Sequence, residues 1–229
     1  MAIPHHILTL TEKKEIAKNL RELHFTKPDN FQFSAGQFIQ CHIPDQGKIV
    51  LRSYSLSSRP GQDDIELCVK LLPEGKASQH FQRMNIGEHL TVQGPLGRFI
   101  VTPDDTALSF IATGAGLAPI MGMIQDELVT NLSQKNIRLL FGVRSEEDIF
   151  WIDRLNALEE QYPNFRYYLT LSQPSDAWTG LRGRVTDHVQ SIDPSHTFYL
   201  CGSAEMVKDV RHHLVAQGTP VKNIRFEIF

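Results

Sequence analysis

The hydrophobic pattern of the chain changes once, near Pro103-Asp104-Asp105. Before that point, short runs rich in Val, Ile, Phe and Thr alternate with turn signals. These signals are Pro28-Asp29-Asn30, Ser34-Ala35-Gly36, Pro44-Asp45-Gln46-Gly47, Pro60-Gly61 and Pro73-Glu74-Gly75. β-Branched and aromatic residues suit a pleated, half-buried surface, and Gly, Pro and Asn supply the backbone angles of tight turns. The spacing predicts a closed or sandwich-like antiparallel unit over residues 1–103, with one helix from about Ser78 to Met84. After it, apolar runs at Leu108–Ala112, Ile137–Val143, Phe165–Leu171 and Thr197–Cys201 read as strands. Helical stretches follow them at about Pro119–Asn131, Ile149–Gln161, Val185–Gln190 and Ala204–Gln217. Strand and helix in alternation predict an α/β unit over 104–229, a parallel sheet with helices on both faces.

Composition narrows the class. A 229-residue chain that is 41% hydrophobic and 21% charged is that of a globular protein of one large or two ordinary domains. A net charge of -3 gives no general electrostatic support for nucleic-acid binding. No apolar run approaches the ~20 residues a membrane span needs, and Pro4, His5 and His6 interrupt any signal peptide at the N-terminus. A cytoplasmic monomer with no membrane or nucleic-acid partner is expected. Cys41, Cys68 and Cys201 are far apart and form no CxxC pair, so neither a zinc site nor an iron–sulfur cluster is expected from them. His5-His6 and His212-His213 are adjacent pairs, and adjacent side chains point apart. No metal is expected.

Candidate chemistry sits at strand ends. Arg52-Ser53-Tyr54-Ser55-Leu56-Ser57-Ser58 packs a cation, a ring and four hydroxyls into seven residues after an apolar run. Such a segment suits a flat ligand bearing a phosphate, or else a Ser-rich edge strand entering the Pro60-Gly61 turn; its own residues leave both open. Thr113-Gly114-Ala115-Gly116-Leu117-Ala118-Pro119 lies where the first parallel strand should turn into its helix. There glycines allow close backbone approach to a pyrophosphate, and the helix N-terminus favours an anion. Pro119 stands where the third glycine of a GxGxxG fingerprint would be, and it fits a first helical turn. Gly142-Val143-Arg144 and Cys201-Gly202-Ser203-Ala204 end two further strands, although a cysteine there can equally be a small buried hydrophobe.

In order, RSYSLSS, GKAS, GPLGRF, TGAGLAP, GVRSEED, CGSAEM and the terminal FEIF resemble the ferredoxin–NADP reductase superfamily, from roughly Phe31 to Phe229. The resemblance implies an antiparallel β-barrel that binds FAD, followed by an α/β domain that binds NADH or NADPH. It assigns Arg52 to the flavin phosphate, Tyr54 to one face of the isoalloxazine and Ser55 to its N5 edge, with Ser53 between them. Cys68, Val69 and Lys70 would run beside the flavin. Gly75, Lys76, Ala77 and Ser78 would contact its pyrophosphate, and Phe229 would cover its second face. Thr113, Gly114, Gly116, Pro119 and Arg144 would hold the pyridine nucleotide, with Cys201 and Gly202 against the nicotinamide. Ser55, Cys201 and Glu227 form the implied catalytic set. Two departures stand out. Ser172-Gln173-Pro174 replaces the Ser-Arg that reads a 2′-phosphate, which favours NADH unless Arg182 or Arg184 compensates; Asp176 would accept a ribose hydroxyl. Cys-Gly-Ser-Ala replaces the commoner Cys-Gly-Pro-Pro.

The implied activity carries a hydride from NAD(P)H to bound FAD, then single electrons to a separate acceptor such as ferredoxin, another small carrier protein or a small molecule. Two alternatives remain on the sequence: a flavin reductase whose flavin exchanges freely, and a non-enzymatic flavin electron-transfer subunit.

Overall fold

Period-two burial is plain from the first strand. In β1 (His5–Ala17), His6, Leu8 and Leu10 point inward while His5 and Ile7 face solvent. The computed structural model describes residues 3–229. β2 (Leu20–Thr26), β3 (Phe38–Asp45), β4 (Lys48–Ser55), β5 (Asp64–Lys70) and β6 (His89–Leu96) complete a six-stranded antiparallel sheet in the order β4-β3-β6-β1-β2-β5. The sheet closes on itself through a bridge between Leu56, just past β4, and Leu67 of β5. The sandwich alternative therefore gives way to a barrel. Its interior holds Leu8, Leu23, Phe25, Ile39, Ile43, Leu67, Val69 and Val92, sealed by Phe81 of α1 (Lys76–Arg83). α1 begins two residues before the expected Ser78, because Gly75 already adopts an extended cap conformation.

The second sheet is wholly parallel. β7 (Ala107–Thr113), β8 (Asn136–Val143), β9 (Phe165–Leu171), β10 (Leu181–Arg182), β11 (Thr197–Gly202) and β12 (Ile224–Ile228) lie in the order β10-β9-β8-β7-β11-β12. β10 has only two residues and no periodicity to read, so the sequence does not announce it. Alternate residues serve opposite faces: Leu108, Phe110 and Ala112 share a core with α2 (Leu117–Gln125) and α3 (Ile152–Gln161). Ile111, Phe198 and Leu200 pack beneath α4 (Ala204–Ala216).

The helices differ from the sequence reading at their ends. α2 gives way to one π-helical turn over Asp126–Thr130. α3 starts at Ile152 rather than Ile149 because Trp151 is left-handed (φ 56°), after a short 3₁₀ turn at Glu146–Asp148. The expected helix at Val185–Gln190 is two 3₁₀ turns. No helix among the described residues is long and apolar enough to cross a membrane.

The helices α2 and α3 face the barrel, and two polar clusters join the halves. In the first, Glu22 and Glu66, both buried in barrel strands, meet Arg154 of α3 at 2.9 Å each. His24 lies against Glu22 (3.0 Å) and Asp64 (2.6 Å). In the second, Asp105 accepts from Tyr199 (2.7 Å), Arg225 (2.8 Å) and Thr197 (3.0 Å), fastening the connecting segment to β11 and β12. Arg225 and Tyr199 also hydrogen-bond each other. These contacts hold Asp105 below the usual carboxylate range despite its burial.

The hydrogen bond to Glu22, with a further one to Asp64, outweighs burial and raises His24 from 6.5 to about 9. A raised cationic pKa stabilises the fold fully below the unfolded value, and that contribution disappears as pH climbs through the folded value. Stability should therefore fall by up to about 3 kcal/mol from this group between about pH 6.5 and 9. Urea denaturation across that window should show a flatter dependence in His24→Gln; an identical slope would remove His24 as the cause.

Candidate functional site

The parallel sheet reverses its order of construction between β7 and β11, which makes a crevice beyond their carboxyl ends. Two glycines set how closely those ends meet. A Cβ on Gly116 would lie 2.2 Å from the carbonyl oxygen of Cys201, and one on Gly202 would lie 2.1 Å from Thr113 Oγ1. Gly114, by contrast, needs its hydrogen for conformation, with φ +53° and open space around it. α2 starts at Leu117 with Pro119 in its first turn, where the missing N–H costs no helical bond.

Alternation along β11 aims Cys201 at the face shared with α2 and the barrel, not at α4. Cys201 is fully buried, and burial pushes its thiol well above the ordinary range. Its register partner on β12 is Glu227. Burial raises the Glu227 carboxyl to about 7, against the opposing pull of a hydrogen bond from Ser55. One Glu227 oxygen is buried with no partner. Ser55, at the end of β4 and 4% exposed, thus comes from the barrel to meet Glu227 of the other sheet. Phe229 follows directly, its N–H donating to the Gly202 carbonyl (3.1 Å) and its ring half exposed.

On the barrel side, Arg52 and Tyr54 share one face of β4, opposite that of Ser53. Tyr54 packs edge-on against Phe81 with ring centroids 5.3 Å apart. Arg52 is exposed, and among the described residues its guanidinium hydrogen-bonds the neighbouring Leu51 carbonyl alone (2.8 Å). The first turn of α1 carries no acidic residue. Ser78 Oγ accepts the Leu72 N–H (2.8 Å) and shapes the loop before Gly75, while Lys76 pairs with Asp45. Along β5, Cys68 faces the seam with the second sheet, Val69 lies in the barrel core and Lys70 is exposed.

The outer strand ends hold their cations in place. Arg144 Nε donates to Gln173 (2.9 Å), and the Ser172 and Gln173 N–H groups return to the Val143 and Arg144 carbonyls. Arg182 is spent on the carbonyls of Ser175, Asp176 and Trp178, and Arg184 pairs with Glu205 (2.9 Å).

Sequence reading missed Gly122, Glu22, Glu66 and Arg154. A Cβ on Gly122 would come within 3.0–3.4 Å of the carbonyls of Leu56, Ser57 and Ser58, so glycine lets α2 settle closely on the serine turn. Lone carboxylates inside strand patterns, Leu20-Arg-Glu22-Leu and Ile65-Glu66-Leu67, were the available signal. Glu22, His24 and Glu66 have metal-ligand chemistry within 4.8 Å of one another, but the Arg154 guanidinium occupies both carboxylates.

The donor set fits a dinucleotide flavin and a pyridine nucleotide: a free cation and an acid-free helix start for phosphates, ring faces, and open space at Gly114. The comparisons agree. The family described as Oxidoreductase FAD-binding domain matches residues 7–100, and Oxidoreductase NAD-binding domain matches 110–212. Ferredoxin--NADP reductase B of Sorangium cellulosum is 34% identical over 232 residues, covering 95% of each chain. The anthranilate 1,2-dioxygenase electron transfer component of Acinetobacter baylyi is 32% identical over 86% of this chain, which spans 58% of that protein. The Amycolatopsis cytochrome P450 reductase GcoB superposes with a TM-score of 0.89 at 28% identity, covering 100% of this chain and 71% of its own. The chain belongs to the ferredoxin–NADP reductase-like family of FAD- and NAD-binding oxidoreductases. It is an NAD(P)H-dependent flavoprotein reductase with FAD as its cofactor.

The two loop glycines should fail differently. Gly116→Ala forces a Cβ against a backbone carbonyl and should cost about 1–3 kcal/mol, with loss of NADH binding. Gly114→Ala meets open space and should cost only about 1 kcal/mol for its positive φ. Denaturation and NADH titration of both variants would check the order; equal effects would contradict it.

Proposed function

We propose that this protein carries electrons from NADH through bound FAD to a separate electron-carrier protein of the ferredoxin type. The observation that carries the reading is Ser55 of the barrel lying against Glu227 across the seam, with Cys201 as the register partner of Glu227 on the neighbouring strand. Arg52 and the amides of Lys76, Ala77 and Ser78 behind Gly75 neutralise the FAD phosphates. Tyr54, propped by Phe81, covers one ring face, flanked by Ser53 and by Cys68, Val69 and Lys70 of β5. Phe229, its ring half exposed at the end of β12, would cover the other face. Bound FAD supplies the redox chemistry, because it takes electrons up in pairs and releases them singly.

Thr113, Gly114, Gly116, Pro119 and Arg144 hold the nucleotide, and Cys201-Gly202 supports the nicotinamide. Ser55 hydrogen-bonds the reactive edge of the ring. Burial raises the Glu227 carboxyl to about 7, so beside the Ser55 hydroxyl it exchanges between its protonated and ionised forms around neutral pH. The buried thiol of Cys201 stays protonated and acts as a packing surface rather than a nucleophile.

NADH is favoured over NADPH because Gln173 offers no charge beside Ser172. Arg182 is held by three loop carbonyls, Arg184 pairs with Glu205, and Asp176 repels a 2′-phosphate. Two relatives, a ferredoxin--NADP reductase and a dioxygenase electron transfer component, support an acceptor of the ferredoxin type. The three cysteines are buried at separate places and offer no cluster ligands among the described residues.

The purified protein should be yellow, keep its flavin through gel filtration and bleach on anaerobic addition of NADH at lower concentration than NADPH. Flavin lost on the column would favour an exchangeable-flavin reductase instead. Ser55→Ala should slow flavin reduction by roughly ten- to a hundredfold in stopped flow with NADH affinity nearly unchanged. A wild-type rate would remove that role.

A further inference from the structure

We propose that Arg154 is a positioning residue for flavin reduction: it clamps the serine turn that follows Ser55 to helix α3 and so sets the spacing between the flavin motif and the nucleotide crevice. The proposal rests on the reading of that seam as the flavin–nucleotide site.

The clamp can be traced bond by bond. Ser57, two residues beyond Ser55, donates its N–H to the Glu66 carbonyl (2.9 Å) and its hydroxyl to Glu66 Oε1 (2.8 Å). The Glu66 N–H donates to Ser58 Oγ (3.1 Å). Glu66 is therefore fastened to the turn at three points, and its carboxylate is 3% exposed. From the other side Arg154 Nη1 reaches both Glu66 oxygens (3.1 and 2.9 Å), while Nη2 reaches Glu22 (2.9 Å). The guanidinium also lies over the Trp151 ring (5.1 Å), whose indole N–H donates to Glu22. Trp151 is the left-handed residue that starts α3, and α3 follows the end of β8 that carries Arg144. One planar fork thus ties the end of the flavin motif to the element beside the nucleotide crevice.

The contact is specific to arginine. Two buried carboxylates on different strands need two separate donors in a fixed plane, and an ammonium offers a single point charge. His24 faces the same pair from β2, with Asp64 behind it, and supplies positive charge but no link to the second sheet. Glu147 and Lys18 add one exposed bridge nearby, and such surface pairs contribute little. A small error in the approach of two reacting groups costs large factors in rate, so a loosened clamp acts on the rate rather than on binding.

The test compares wild type with Arg154→Lys and Arg154→Met as purified holoproteins. Arg154→Lys keeps the charge and should retain FAD, with NADH affinity within about twofold, yet its limiting rate of flavin reduction should fall about tenfold. Arg154→Met should fall further. Hydrogen exchange should quicken at residues 56–58 and 151–155 in Arg154→Lys, with β1 and β3 unchanged. If Arg154→Met does not fold, the lysine variant decides alone. A wild-type reduction rate in Arg154→Lys overturns the proposal, whether or not exchange quickens. Wild-type protein that neither NADH nor NADPH reduces would sink the site reading instead, and unchanged exchange would then overturn the clamp separately.

Discussion

Two carboxylates buried at one seam constrain this protein more than any other interaction. Glu22 and Glu66 lie in adjacent barrel strands, nearly sealed from water, and an unpaired charge there would be very costly. Arg154 and His24 keep them paired. The two respond oppositely: contacts draw Glu22 below the usual carboxylate range in spite of burial, whereas burial pushes Glu66 up. Because Arg154 belongs to α3 of the other half, satisfying the barrel's buried charge ties the orientation in which the two halves dock. Desolvation thus becomes an orientation device.

That orientation lets close packing finish the site. Gly122 brings α2 onto the carbonyls of Leu56, Ser57 and Ser58, and Gly116 brings the β7 turn onto Cys201. A methyl group would clash outright at Gly116 and sit tightly at Gly122, so the serine turn, the glycine turn and the end of β11 form one continuous stack. The result places Glu227 in a partly apolar environment with a single hydroxyl for company, which is why its proton affinity rises to about 7. Glu227 and Glu66 are both raised by burial, but Glu66 has a guanidinium beside it and Glu227 does not.

The far end of the crevice follows a different rule. Arginines are present around the third and fourth strand ends, but loop carbonyls, Gln173 and Glu205 use their donors.

Local features were legible in the chain itself. Alternating apolar residues, turn signals and glycine punctuation act over a few positions, and they marked the antiparallel half, the parallel half and nearly every long element. The ordered motifs likewise led to Arg52, Tyr54, Ser55, Thr113, Gly114, Cys201 and Glu227 as candidates, and the fold carries them on the elements expected. What only the tertiary structure decided is pairwise and distant. Closure of the barrel rests on Leu56 meeting Leu67, and the docking of its halves on Glu22 and Glu66 meeting Arg154. The need for glycine at 116 and 122 depends on backbone from remote strands. Burial of a charge and the fit of a backbone against a backbone are properties of two segments brought together, and no periodicity within either segment encodes them.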